Sequence, residues 1–176
     1  MSTKGLPVPA RTRDEIGLIA NAIRKRTDVR GEGRCNIVQL VEVIAKTGFE
    51  VVERDEIGDN YGLTYPDSGR LLVRADVYRD ACNDKGWARE VMAHELGHLI
   101  LHRDIPMPFL SSEKYLSLSP LNDSEWQANT FADLMLAPLE QVKLYSEVRN
   151  PTEEISRVFG VTKETAFRRW VEARCR

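Results

Sequence analysis

His94, Glu95 and His98 lie within EVMAHELGHLILH, residues 90 to 102, with a spacing suited to a metal and a base beside it. Four residues make about one helical turn and 6 Å of rise, so both imidazoles of a helical stretch face one point. Zinc takes such nitrogens at about 2.0–2.1 Å, and the HExxH order leaves Glu95 placed to accept a proton from water at the metal. Three fixed letters also recur by chance, so the pattern needs a third ligand. His102 is a poor one: about 12 Å from His94 on a straight helix, it would string the ligands into a line. It is expected to cap the helix end, as a partly positive ring against the C-terminal dipole, or to hydrogen-bond a neighbour.

A carboxylate from a second helix serves better. Glu125 opens SEWQANTFADLML after a loop long enough to fold that helix back on the first. Its competing role is local, because Asn122 and Glu125 stand in the N-cap and N3 relation of a capping box. Asn129 follows one turn later on the same face, where its amide oxygen can receive the Nδ1 proton of a ligating histidine. Asp133, a further turn on, is a second candidate for that role. Both also fit an ordinary solvent-facing stripe.

The elements that must position these groups are legible in the patterning. Ile16, Ile19 and Ile23 mark a first helix, closed by the break RGEGR. Ile37, Leu40, Val41 and Ile44 mark a second, ending at Gly48. FEVVE, YGLTY and RLLVRA then read as a small antiparallel sheet, and from Lys85 onward the chain reads as helical. This is an α+β domain, mainly helical, with the sheet placed before the HExxH helix. Residues 1–148 form the expected catalytic unit and 149–176 a C-terminal helix pair packed on it.

A chain of 176 residues with 42% hydrophobic content can bury one core. The N-terminal stretch lacks the apolar centre of a secretion signal and no run is long enough to span a membrane, so a cytoplasmic protein is expected. Cys35, Cys82 and Cys175 are scattered, odd in number and without CxxC spacing, which argues for reduced thiols. Cys82, twelve positions before His94, could in principle close the open metal position, although a lone cysteine is more often a small buried residue. The net charge of −2 hides basic ends: residues 1–34 carry eight Lys/Arg against four Asp/Glu, and residues 149–176 seven against four. Any polyanion contact would therefore involve the termini.

HELGHLILH followed by EWQANTFADLMLAP resembles the ImmA/IrrE metallopeptidases, also called the domain of unknown function 955 family. The resemblance extends over about residues 12 to 140 and more loosely beyond. It implies a zincin-like domain in which His94, His98 and Glu125 bind Zn2+ and Glu95 is the catalytic base. It also implies a bacterial or phage protein that cleaves a helix-turn-helix repressor, derepressing a stress, mobile-element or defence operon. Some relatives carry a C-terminal sensory domain; this chain ends at Arg176, so sensing is expected to lie elsewhere.

Two readings of other classes stand beside the endopeptidase. A zinc-containing module could regulate its partner by binding alone. The C-terminal pair, with Asn150 and Pro151 opening one helix, Gly160 closing it and Thr162 opening the next, could instead place Lys163, Arg168 and Arg169 on DNA phosphates. The plainer reading packs Ile155, Val158, Phe159, Phe167 and Trp170 over the catalytic domain. Tyr61, Tyr65 and Tyr115 are each candidates to stabilise an oxyanion. The YGLTY–RLLVRA hairpin is expected to hold substrate by strand addition, tested by proline at Leu63 and at Leu72.

Overall fold

The computed structural model describes residues 5–27, 33–103, 105 and 119–175. Its elements run α1 (Arg13–Thr27), α2 (Ile37–Ala45), β1 (Phe49–Val52), α3 (Arg54–Ile57), β2 (Gly62–Tyr65), β3 (Arg70–Arg74), α4 (Ala75–Cys82), α5 (Gly86–Leu101), α6 (Ser124–Leu136), α7 (Leu139–Val142), α8 (Pro151–Phe159) and α9 (Lys163–Cys175). The fold is the expected mainly helical α+β domain with a small sheet ahead of the long helices.

Helix α5 is the axis of the molecule. Ala88, Met92, Ala93, Leu96, Leu99 and Leu101 are all buried, on more than one face, as suits a helix surrounded by other elements. Gly97 sets its distance from α6: a Cβ there would come within 3.1 Å of the Phe131 ring and 3.2 Å of the Ala128 backbone. With any other residue there, the Phe131 ring and the α6 backbone would have to give way by a few tenths of an ångström.

The sheet departs from expectation. Its order is β1-β3-β2; β2 pairs antiparallel with β3, but β1 runs parallel to β3, so the sheet is mixed. The parallel pairing needs a crossover, and α3, the Arg54–Ile57 stretch between FEVVE and YGLTY, lies within it. A helix also went unread at α4, directly after β3. Leu71 and Val73 face the main core, while Leu72 turns the other way to meet Val52, Ile57 and Leu63. That alternation is the pleat at work.

The C-terminal pair packs on the same core. Ile155 and Phe159 are fully buried, Val158 and Trp170 pack against the core, and Phe167 stays outside at 52% exposure. Gly160 ends α8 in the left-handed region, φ 63°, as its C-cap position demands. Arg169 is wholly buried, with Nε donating to the Ala137 carbonyl and Nη1 paired to Glu172 at 2.5 Å. It therefore cannot serve on phosphates. Lys163 pairs with Glu153 at 2.6 Å and Arg168 with Asp133 at 2.7 Å.

Candidate metal centre

Helix α5 presents His94 and His98 one turn apart, and α6 brings Glu125 across to them. The His94 and His98 Nε2 atoms are 3.0 Å apart. Glu125 Oε2 lies 3.3 Å from His94 Nε2, and Oε1 3.1 Å from His98 Nε2. Ligands on 2.0–2.1 Å bonds at tetrahedral angles sit roughly 3.3 Å apart, so the three donor atoms already have the spacing a zinc ion would impose. Among the described residues these three side chains form a group able to hold a metal ion.

Glu125 is free for this because another residue caps α6. Asp123, not Asn122, is the N-cap, its Oδ1 accepting from the Glu125 and Trp126 backbone N–H groups at 2.8 and 3.1 Å. Asn122 instead donates to the Val8 carbonyl. The competing capping box of Asn122 and Glu125 is thus not formed, and a single aspartate caps the helix.

Asn129 Oδ1 lies 3.0 Å from His94 Nδ1, which holds that ring with Nε2 turned inward. Asp133 has no part in this, because its carboxylate takes the Arg168 guanidinium through both Nε and Nη2. One more turn of helix carries it away from the histidines.

Glu95 is buried at the sheet side of the site. The Thr64 hydroxyl donates to its Oε2 at 2.6 Å. Gly62, two residues earlier on the same face of β2, has no room for a side chain: a Cβ would meet Glu95 Cγ at 2.6 Å and its carboxyl group at 2.9 to 3.0 Å. Gly62→Ala should therefore displace Glu95 while leaving the His–His–Glu group in place. If Glu95 is the base that the sequence leads one to expect, metal uptake should stay within a few-fold of the parent while hydrolysis falls by about 10–100-fold, the upper end being what a 1 Å misplacement can cost. Unchanged turnover in a folded Gly62→Ala chain would show that Glu95 is not held where the reaction needs it.

The electrostatics divide the histidines. Burial pushes His94 down, but the Glu125 hydrogen bond and the Glu95 and Glu125 charges outweigh it, leaving its pKa raised. Burial raises Glu125, and the hydrogen bonds and charges of both histidines reverse this, so its pKa ends well below the usual carboxylate range. His102 is pushed the other way, to about 4, first by burial and then by His98. It is 4% exposed and is the C-cap of α5, hydrogen-bonded to His98 and Gln127, so of the two expected roles the bond to a neighbour holds, while burial works against a positive ring at the helix end.

That shift predicts an acid sensitivity of the metal-free protein. Between pH 6.5 and about 4 the unfolded chain protonates His102 and the folded one does not, so stability falls as pH falls. The His94 shift acts above pH 6.5 and leaves this window alone. The loss is on the order of 2–4 kcal/mol, and His102→Asn should flatten it. Denaturant unfolding of both chains across this range checks the point; parallel slopes would contradict it.

The site opens into a cleft of about 770 Å³, walled by Asn60 to Thr64 on one side and by Gly5 to Val8 of the N-terminal segment on the other. Tyr61 lines it, edge-on to Trp87, with the Arg74 guanidinium 4.5 Å from its ring centre. Tyr65 is exposed beside Arg70 and outside this lining, and Tyr115 lies outside the described residues. Cys82 ends α4 and borders a separate depression with Cys35 and Arg89. Thr64, Gly62 and Gln127 were not singled out by sequence reasoning, although strand alternation would have placed Gly62 and Thr64 on one face.

Fold and site together define a mainly helical α+β domain with a two-histidine, one-glutamate group at the floor of a cleft. A model of the Peptidase M78 family, described as the IrrE N-terminal-like domain, matches residues 46–171. The chain belongs to that metallopeptidase family. The match takes in α8 and most of α9, which the resemblance reached only loosely, and leaves α1 and α2 outside. A comparison with curated proteins returned no match.

Proposed function

We propose that the protein is a zinc-dependent endopeptidase that cuts a protein partner, a helix-turn-helix repressor, and so relieves repression of a stress, mobile-element or phage-defence operon. The observation that carries the endopeptidase reading is the convergence of His94, His98 and Glu125 at 3.0 to 3.3 Å beside a buried, hydrogen-bonded Glu95. His94, His98 and Glu125 would hold the zinc ion, which would supply Lewis acidity to polarise the scissile carbonyl and lower the pKa of water. Glu95 takes the water proton and passes it to the leaving amine, while Thr64 steadies the carboxylate. Asn129 keeps His94 aligned.

Edge strand β2 supports an extended substrate. Arg74 N–H donates to the Tyr61 carbonyl at 3.0 Å, so by antiparallel alternation Leu63 also bonds inward to Leu72. Gly62 and Thr64 then turn their backbone groups to the free edge. Proline at Leu63 or in the central strand at Leu72 would break the sheet itself, so those substitutions do not test strand addition. Backbone N-methylation of a substrate peptide at alternate residues does: one phase should block cleavage and the other should not. Equal cleavage of both would exclude pairing through β2. Specificity then comes from contacts outside the cleft, so a folded partner should be cut far better than a short peptide.

Among the described residues no helix is long and apolar enough to cross a membrane; a cytoplasmic location is part of the proposal. The test is incubation of the zinc-loaded chain with the repressor encoded beside it, read by mass spectrometry, and a reporter for the repressed operon. The parent should cut one bond and derepress, and Glu95→Gln should do neither. Full derepression by Glu95→Gln would favour regulation by binding alone.

A further inference from the structure

His98 is oriented by a chain of hydrogen bonds that ends at the N-terminal segment. Gln127 is fully buried on α6, and its Nε2 donates to two backbone carbonyls, Pro9 at 2.9 Å and Leu121 at 2.7 Å. Both amide hydrogens are thereby occupied and the orientation of the side chain is fixed, so Oε1 can only accept. His102 Nε2 lies 3.2 Å from that oxygen and must carry a hydrogen to bond it. In a neutral ring this leaves Nδ1 of His102 as an acceptor. His98 Nδ1 lies 3.1 Å from His102 Nδ1, and two acceptors cannot bond each other, so His98 carries its hydrogen on Nδ1. Its Nε2 lone pair is then directed at His94 and Glu125.

We infer that His102 and Gln127 are positioning residues that fix the tautomer and ring angle of His98, with residues 5–11 holding the far end of the relay. That segment is tied to the start of α6 through Leu6 with Ser124, Val8 with Asn122 and Arg11 with Leu121, at 2.9 to 3.0 Å. The Pro9 carbonyl thus sits three hydrogen bonds from a residue of the metal group. His94 is held by Asn129 directly, whereas His98 has a relay crossing from α5 to α6 to the N-terminal segment. The inference rests on the metal reading above and concerns how the protein prepares the group.

The test uses the full chain and zinc alone, with dissociation constants from chelator competition and histidine ring 15N signals as the two readouts. In the zinc-loaded parent, His98 should show a proton on Nδ1 and none on Nε2. His102→Leu removes the acceptor and should weaken zinc by about 10–100-fold, the usual cost of losing such a partner. His102→Asn puts an amide oxygen near the place of Nδ1 and should restore affinity to within a few-fold of the parent, an outcome that packing alone does not predict. Gln127→Met should weaken zinc and broaden the His102 signals. If His102→Leu fails to fold, the parent tautomer and the Asn variant still decide. A parent that takes up no zinc would overturn the metal reading together with the relay. A parent that binds zinc with His98 protonated on Nε2, or a folded His102→Leu with parental affinity, would overturn the relay alone.

Discussion

Replacing Glu95 by Gln should abolish peptide hydrolysis, by at least about 10²–10⁴-fold, while zinc content and thermal stability stay at the parental level. The amide is nearly the size of the carboxylate and can still take the Thr64 hydroxyl hydrogen bond, 2.6 Å in the parent, through its oxygen. It cannot accept the proton that water must lose. The group of His94, His98 and Glu125 does not include Glu95, so metal uptake has no reason to change. Turnover measured on a protein substrate, with metal analysis of the same sample, checks both halves. Hydrolysis above about a tenth of the parental rate would remove Glu95 from the role of base.

The second large effect concerns the ligands. His94→Ala or His98→Ala should lower zinc affinity well beyond the roughly 10–100-fold that an outer hydrogen-bond partner costs. Each leaves two donors where three now stand within 4.8 Å of one another. The fold should survive, because both side chains line a cleft and the core contacts of α5 come from Met92, Leu96 and Leu99. Zinc at 1,000 times its dissociation constant stabilises a folded protein by about 4 kcal/mol, so the parent should gain a zinc-dependent rise in melting temperature that both variants lack. Equal thermal shifts in all three chains would contradict the assignment.

The two-histidine, one-glutamate group of the candidate site was readable in the sequence because it is written at helical spacing. His94 and His98 are one turn apart, and Glu125 and Asn129 repeat that interval on a second helix, so a few local rules place four polar groups on two facing stripes. What those rules could not show was what lies opposite. Asp133 continues the Asn129 stripe, yet the partner it meets is Arg168 on α9, 35 residues away. Gln127 sits between two ligand-side positions and carries no spacing signal; its role comes from Pro9, 118 residues distant. The direction of β1 was illegible for a related reason, since alternating apolar residues specify a strand but not which neighbour it joins. For His102 the sequence left two roles open, a partly positive cap or a hydrogen bond to a neighbour, and only its burial against Gln127 and His98 decides for the second.

The central claim is that His94, His98 and Glu125 hold one zinc ion beside Glu95. Anomalous scattering at the zinc edge from crystals of the active chain tests it most directly. We expect a single peak per chain, within about 2.0–2.2 Å of His94 Nε2, His98 Nε2 and a Glu125 carboxylate oxygen. An active chain with no peak at that place, or with its zinc bound by other residues, would contradict the account.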